Sequence, residues 1–359
     1  MPKRYSTITG SGHYLPTRKV KNEDFVSREF FDKSKQRIPK SSKEITEKFF
    51  EITTIAERRY VEDDLVTSDI AFLAAKQAVE SANIDPEELD YIIVAHNFGD
   101  VRHQSNRTDF VPSLAARVKQ KLGIQRPQAV AYDLAFGCPG WLQGIIQADY
   151  YIKSGDASKA LVIGSETLSR VTDPHDIDTM LYADGAGAVV MEGRMGEQAS
   201  GILAHATRSD AHQYAEMLHM GPSYHPEKDN GDIFLKMNGR KLYQYALKTV
   251  PQAIKDCLDK CGVHLSEIDK VLIHQANGKM DDAILHRLYQ LYNIDDIPKH
   301  VMPMTVAWLG NSSVATIPTL FDLVRRGQMP DQKIEKGDKI IFASVGAGMN
   351  INAVVYENG

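Results

Sequence analysis

An α/β protein built from two duplicated halves is the fold class that this 359-residue sequence predicts. Three observations carry it. Short apolar runs ("YIIVA", "ALVIG", "VLIH", "KIIFA") fit strands buried on both faces, and they alternate with helix-like stretches. The order of elements in one half returns in the other. Each half closes on a glycine-rich hairpin, "DGAGAVVMEG" from 184 and "GAGMNINAVVYENG" from 346.

Taken in order, "ESANIDPEELDYIIVAHN" (80–97) reads as a helix end, a turn and a β-branched strand. "LDKCGVHLSEIDKVLIHQAN" (258–277) repeats that order. "GCPGWLQGIIQADYYIKSGDASKALVIGSE" runs from Gly137 as a helix, a turn and an apolar strand. Its counterpart starts at Gly310 with "GNSSVATIPTLFDLVRRGQ" and ends in "KGDKIIFASVG". The halves meet near 193–201, so the expected division is 1–195 and 196–359, packed as a pseudo-dimer. The charge-rich stretch 21–48 lies outside the repeat and reads as an exposed helical excursion.

Composition narrows the function. Hydrophobic residues at 43% and charged residues at 25% describe a soluble globular chain. Lys plus Arg is 42 against 47 for Asp plus Glu, so no basic surplus points to nucleic acid. No apolar run is long enough to cross a bilayer, and "MPKRYSTITG" has no signal-peptide pattern. Three cysteines make no disulfide framework, and a cytoplasmic location is expected. Cys257 and Cys261 read as helix packing residues.

The third cysteine differs. Aligning the repeats places Cys138 opposite Asn311, each directly after a glycine at the start of an equivalent helix. Two polar residues at equivalent helix starts face one another across a pseudo-twofold axis. A thiol at a helix N-terminus is expected to favour thiolate, with Pro139 fitting the first turn. Thiolate is the nucleophile of covalent acyl chemistry. In "VLIHQAN", His274 ends a buried strand, where open α/β sheets place their crevices, and Asn277 follows three residues on. "DPHDIDT" (173–179) lacks metal-ligand spacing, and "GSGHY" lacks the third glycine of a dinucleotide fingerprint, so neither a metal nor a cofactor is expected.

In their order and spacing, "GCPGW", "DGAGA", "HQAN", "GNSS" and the closing "GAG" resemble the thiolase superfamily, and within it the β-ketoacyl-[acyl-carrier-protein] synthase III family. The resemblance covers nearly the whole chain. It implies a thiolase-like αβαβα layered fold, a homodimer, and Cys138, His274 and Asn311 as catalytic residues. It also implies an oxyanion hole from the backbone N–H groups of Cys138 and Ala347. The implied reaction is acyl transfer to Cys138, then decarboxylative Claisen condensation with a malonyl-type thioester on an acyl carrier protein. Thiolases carry a second catalytic cysteine in the C-terminal region, and none lies beyond Cys261 here.

The chain departs from the family at several positions. Lys48 and Ile177 stand where the family clamps adenine with tryptophan and arginine. Val111 replaces a phenylalanine that limits the acyl pocket, which predicts a deeper pocket and a chain longer than acetyl. The loop ahead of it is longer than the family pattern. Lys279 matches a basic residue that meets the carrier, and His286 and Arg287 extend that face along the helix. Within the fold, these departures also admit a ketosynthase joining two β-ketoacyl thioesters to a cyclohexanedione or resorcinol. From other classes, a papain-type hydrolase would lack the duplicated halves, and a non-catalytic acyl-binding protein would not need the Cys-His-Asn set.

Overall fold

The computed structural model describes residues 3–197, 199–228 and 231–359. Ile92, Ile93, Val94 and Ala95 of the strand Tyr91–His96 have no solvent exposure, as an apolar run buried on both faces requires. This strand lies parallel to Val130–Ala135 on one side and to Lys159–Thr167 on the other. Asp184–Gly196 and then Lys3–Tyr14 add antiparallel, completing a five-stranded sheet.

The second sheet has four strands. Lys270–Ile273 runs parallel to Lys339–Gly346, and Asn350–Glu357 and Gly201–Ser209 follow antiparallel. Strand for strand, this is the order of the first sheet without a counterpart of Val130–Ala135.

Two apolar helices, Gly140–Ser154 and Thr316–Arg325, lie between the sheets. Trp141, Ile145, Phe321, Phe342 and Tyr356 pack there in one buried cluster. The Ile8 N–H donates to the Tyr356 hydroxyl at 3.0 Å, tying the sheets together. Helix Thr67–Ala82 covers the outer face of the first sheet, and Gly239–Cys261 with Gly278–Gln290 covers that of the second. The result is an αβαβα layered sandwich.

The glycines of "GSGHY" serve this packing. A Cβ on Gly10 would stand 2.3 Å from the Ala78 carbonyl oxygen, so only glycine lets helix Thr67–Ala82 approach the strand. In "DPHDIDT", Asp173 and Asp176 hold the buried Lys236 ammonium at 2.6 and 3.2 Å. That ion cluster joins the segment to the strand Phe234–Met237.

The stretch 21–48 corrects the expectation of an exposed helical excursion. It holds one 3-10 turn, Asn22–Phe25, then irregular chain and the first part of helix Ser42–Thr53. Phe25, Phe30 and Ile45, with Phe49 just beyond the stretch, are buried in one cluster with Leu181 and Tyr182. Its aromatic residues outweigh its charge: they cover one flank of the molecule while the charged residues face solvent. Helix Ser42–Thr53 starts at a reciprocal cap, with Glu44 N donating to Ser41 Oγ at 3.2 Å and Ser41 N to Glu44 Oε2 at 2.9 Å.

Candidate active site

Strand Val130–Ala135 delivers the chain to Gly137, whose φ of 76° turns it into Cys138. Pro139 is the N-cap of helix Gly140–Ser154, one position earlier than the first turn. From the other half, Gly346 presses against this corner: a Cβ there would lie 2.6 Å from Cys138 N. Ala347 follows, its backbone nitrogen beside Gly137, and it lines the same small cavity as Cys138.

The thiol itself does not match the sequence expectation of a favoured thiolate. Burial pushes it up to about 11, and a hydrogen bond from the Ser313 hydroxyl at 3.3 Å pulls the other way. An enclosed sulfur loses more solvation as an anion than one helix end returns. The resting group is a neutral thiol.

His274 continues strand Lys270–Ile273, and its N–H donates to the Ala343 carbonyl at 2.8 Å. Burial lowers the imidazole to about 4, so the ring is neutral. Its Nδ1 has no hydrogen-bond partner among the described residues. Gln275, which the sequence reading passed over within "HQAN", anchors the neighbouring loop. Its Oε1 accepts from Thr305 N at 2.7 Å and Val306 N at 3.1 Å, while its Nε2 donates to the Pro303 carbonyl at 2.8 Å. Asn277 is a capping residue, accepting from Met280 N at 3.2 Å at the start of helix Gly278–Gln290.

Asn311 precedes a 3-10 turn, Ser313–Ala315, that leads into helix Thr316–Arg325. Its backbone pairs with the first half: Asn311 N donates to Leu181 O at 2.9 Å, and Ala183 N donates to Asn311 O at 2.8 Å. Its side-chain oxygen accepts from Ser313 N at 2.8 Å, leaving the amide NH₂ as its donor.

Cys138, His274, Asn311 and Ala347 line one cavity of about 50 Å³. A wider cavity of about 580 Å³ lies outside it, and both are walled by Met237, Leu242, Ala276, Met280 and Asn311. The outer chamber is largely apolar, with Lys48, Ile177, Arg240 and Tyr243 on its sides. Asp178, the third carboxylate of "DPHDIDT", also lines it, and burial raises that group to about 7. The arrangement is an apolar passage ending at a thiol flanked by a neutral imidazole, an amide and backbone N–H groups.

Other positions fall elsewhere. Val111 is 86% exposed and lines neither chamber of its own chain. The side chain sits on a surface loop, just before the Ser113 cap of helix Leu114–Lys121. Lys279, His286 and Arg287 are exposed along helix Gly278–Gln290, whose buried Met280 reaches both chambers. Lys48 pairs with Glu51 at 2.8 Å on the rim. Cys257 is buried in the helix packing of the second half, with its thiol raised to about 12.

Sequence reasoning missed Ser313, Asn97 and Glu166, which stand behind the sulfur. A signal for Glu166 was present: an ionisable residue ends the apolar run "ALVIGSE" in a buried strand.

Comparison with known proteins follows the same lines. Two family profiles of 3-oxoacyl-[acyl-carrier-protein (ACP)] synthase III match, the first over residues 132–211 and the C-terminal one over 258–358. The β-ketoacyl-[acyl-carrier-protein] synthase III of Erythrobacter litoralis is 34% identical over 352 residues, 97% of this chain and 98% of that protein. The crystal structure of 3-oxoacyl-[acyl-carrier-protein] synthase III from Aquifex aeolicus is similar with a TM-score of 0.78 at 31% identity, covering 98% of this chain and 99% of that one. The Thermus thermophilus enzyme gives 0.80 at 30% identity over the same shares. Fold, motif order and these similarities agree: the chain belongs to the β-ketoacyl-[acyl-carrier-protein] synthase III family and is a condensing acyltransferase with a thiolase-like fold.

Proposed function

We propose that Cys138 accepts an acyl group from a thioester, and that His274 and Asn311 then direct its decarboxylative condensation with a malonyl-type carrier thioester. The observation that carries this is the convergence of Cys138, His274, Asn311 and Ala347 on one enclosed cavity at the end of an apolar passage. In the first step the sulfur attacks the donor carbonyl. The new C–S bond forms as the bond to the pantetheine sulfur breaks, and the thiol proton of Cys138 ends on that departing sulfur. In the second step CO₂ leaves the extender, and the developing enolate oxygen takes hydrogen bonds from neutral His274 and the Asn311 amide. A neutral ring carries one N–H that can donate to that oxygen while its other nitrogen remains an acceptor. The carbanion attacks the Cys138 thioester, whose oxyanion faces the N–H groups of Cys138 and Ala347. That attack forms the C–C bond; collapse of the tetrahedral intermediate breaks the C–S bond, and the released cysteine thiolate takes a proton from solvent to return to the thiol. No cofactor is needed for either step.

Residues 1–195 supply the nucleophile in this reading, and 196–359 supply His274 and Asn311. The carrier docks at Lys279, His286 and Arg287, beside the passage. Arg287 also lines a groove with Lys241 and Lys248, which extends the positive face. We place the reaction in the cytoplasm and in a homodimer, where Phe110 (44% exposed) and Val111 would find a partner surface. A chamber of about 50 Å³ holds a few water-sized groups, which favours a short primer in this reading. The same volume argues against a second β-ketoacyl chain at Cys138.

The test is intact mass spectrometry with acetyl, butyryl and octanoyl donors on CoA and on carrier, followed by malonyl-carrier. The expected outcome is a short acyl adduct on Cys138, then a 3-oxoacyl-carrier product, both abolished by Cys138→Ser. Adducts confined to Cys257 or Cys261, or free acid as the only product, would overturn the proposal.

A further inference from the structure

We infer that Ser313 is a positioning residue for the nucleophile: Asn97, held by Glu166, aims the Ser313 hydroxyl at the Cys138 sulfur. The inference rests on the proposed role of Cys138, and it concerns how that sulfur is made reactive. Four hydrogen bonds place the parts. Ser313 Oγ donates to Cys138 Sγ at 3.3 Å. Asn97 Nδ2 donates to Ser313 Oγ at 3.0 Å, so one lone pair of that hydroxyl is occupied and its own proton is free for the sulfur. The Glu166 carboxylate accepts from Asn97 N at 2.7 Å and also from Asn97 Nδ2. The two hydrogens of the Asn97 amide are thereby divided between Glu166 and Ser313.

The backbone of Ser313 supports a special placement. Its φ is 52°, in the left-handed region that non-glycine residues seldom occupy. In that conformation its N–H reaches the side-chain oxygen of Asn311 while its hydroxyl reaches the sulfur. One residue thus orients the amide assigned to the extender and solvates the sulfur assigned to the primer. Unfavourable backbone at a point joining two reacting groups is the pattern of a site held for function.

The hydroxyl bond matters because the sulfur is otherwise buried. When Sγ becomes anionic, a donor already aimed at it stabilises the charge without reorganisation. Besides Ser313, the titratable groups facing the sulfur are Glu166 and Tyr182, with His274 in the same cavity. His96 and Asp184 in turn face Glu166.

The experiment follows alkylation of Cys138 by iodoacetamide between pH 7 and 11, read by peptide mass in the full chain. Ser313→Ala should slow labelling about tenfold at neutral pH and move the profile upward by about one unit, the size expected for a hydrogen bond to a charged group. The difference should narrow only towards pH 11, where the wild-type thiol nears half ionisation. Asn97→Ala leaves the hydroxyl in place but unaimed, and should give a smaller shift in the same direction. Alanine loses only an oxygen at Ser313, and matched thermal melts identify any variant that is merely unfolded. Wild-type labelling profiles in both folded variants would overturn the inference. The underlying functional reading fails separately, if Cys138→Ser retains condensation, because alkylation reports the sulfur whether or not it carries the acyl group.

Discussion

The two glycine-led corners, Gly137–Cys138 and Gly310–Asn311, occupy matching places in sheets of the same strand order, yet they are held in different ways. Cys138 is fed by strand Val130–Ala135, the edge strand of its own sheet, paired along its length with Tyr91–His96. Among the described residues the second half has no such strand. Asn311 is reached through the short helix Val306–Leu309, and its backbone is tied to Leu181 and Ala183 of the first half. Gln275 holds the loop leading to it through four hydrogen bonds. The nucleophile is thus placed by its own sheet, whereas the amide is placed by the contact between halves. A duplicated fold can carry two chemistries because only one copy keeps the strand, and the other is positioned by its partner.

The comparison breaks first at the side chains themselves. His274→Ala and Asn311→Ala should each lower condensation by about 10² to 10³, the cost of removing one donor from a developing oxyanion. Acylation of Cys138, measured separately by intact mass, should persist in both. Equal loss of the two steps would show that the corners do not divide the labour.

The next largest effect concerns stability against pH, where buried groups of the two halves act in opposite directions. Burial lowers His274 from 6.5 to about 4. The unfolded chain therefore binds a proton that the folded one refuses, and stability falls as pH drops from 6.5 towards 4. Burial raises Glu166 from 4.5 to about 7. Here the folded chain keeps a proton that the unfolded one has shed, so stability falls as pH rises from 4.5 to 7. Each limb is worth about 3 kcal/mol, and they cancel where they overlap. Relative to the wild type, His274→Gln should gain stability on going from pH 7 to 4. Glu166→Gln should gain it on going from pH 4.5 to 7. Urea midpoints across this range check both, and parallel curves for all three proteins would contradict the assignment.

The smallest effect is at the surface. Lys279→Glu should weaken use of an acyl-carrier donor by about threefold at low salt and leave the matched CoA donor unchanged. Raising the ionic strength should erase the difference, because the Debye length falls to about 3 Å at 1 M salt. A salt-independent loss with both donors would place the fault in helix Gly278–Gln290 rather than in docking.

Much of this molecule follows from local pattern. The apolar runs around Ile92–Ala95 and Ile340–Phe342 specify strands buried on both faces, and the repeat of helix, turn and strand specifies two similar layers. Glycine before Cys138 and before Asn311 marks both corners, since each lies at positive φ. These are properties of a few neighbouring residues, and sequence alone determines them.

Tertiary structure decided what depends on enclosure and on contacts across the chain. Burial, which no local pattern reports, pushed the Cys138 thiol up and the His274 imidazole down. The aromatic residues of 21–48 found a surface only once Leu181 and Tyr182 were in place. Val111 turned outward because its loop, rather than its type, sets its direction. Ser313 reached Cys138 across 175 positions of chain, and Asn97, just past strand Tyr91–His96, and Glu166, in the adjacent strand, came together to hold it there. Such groups carry no spacing that links them, because the distance between them exists only after the two sheets have packed.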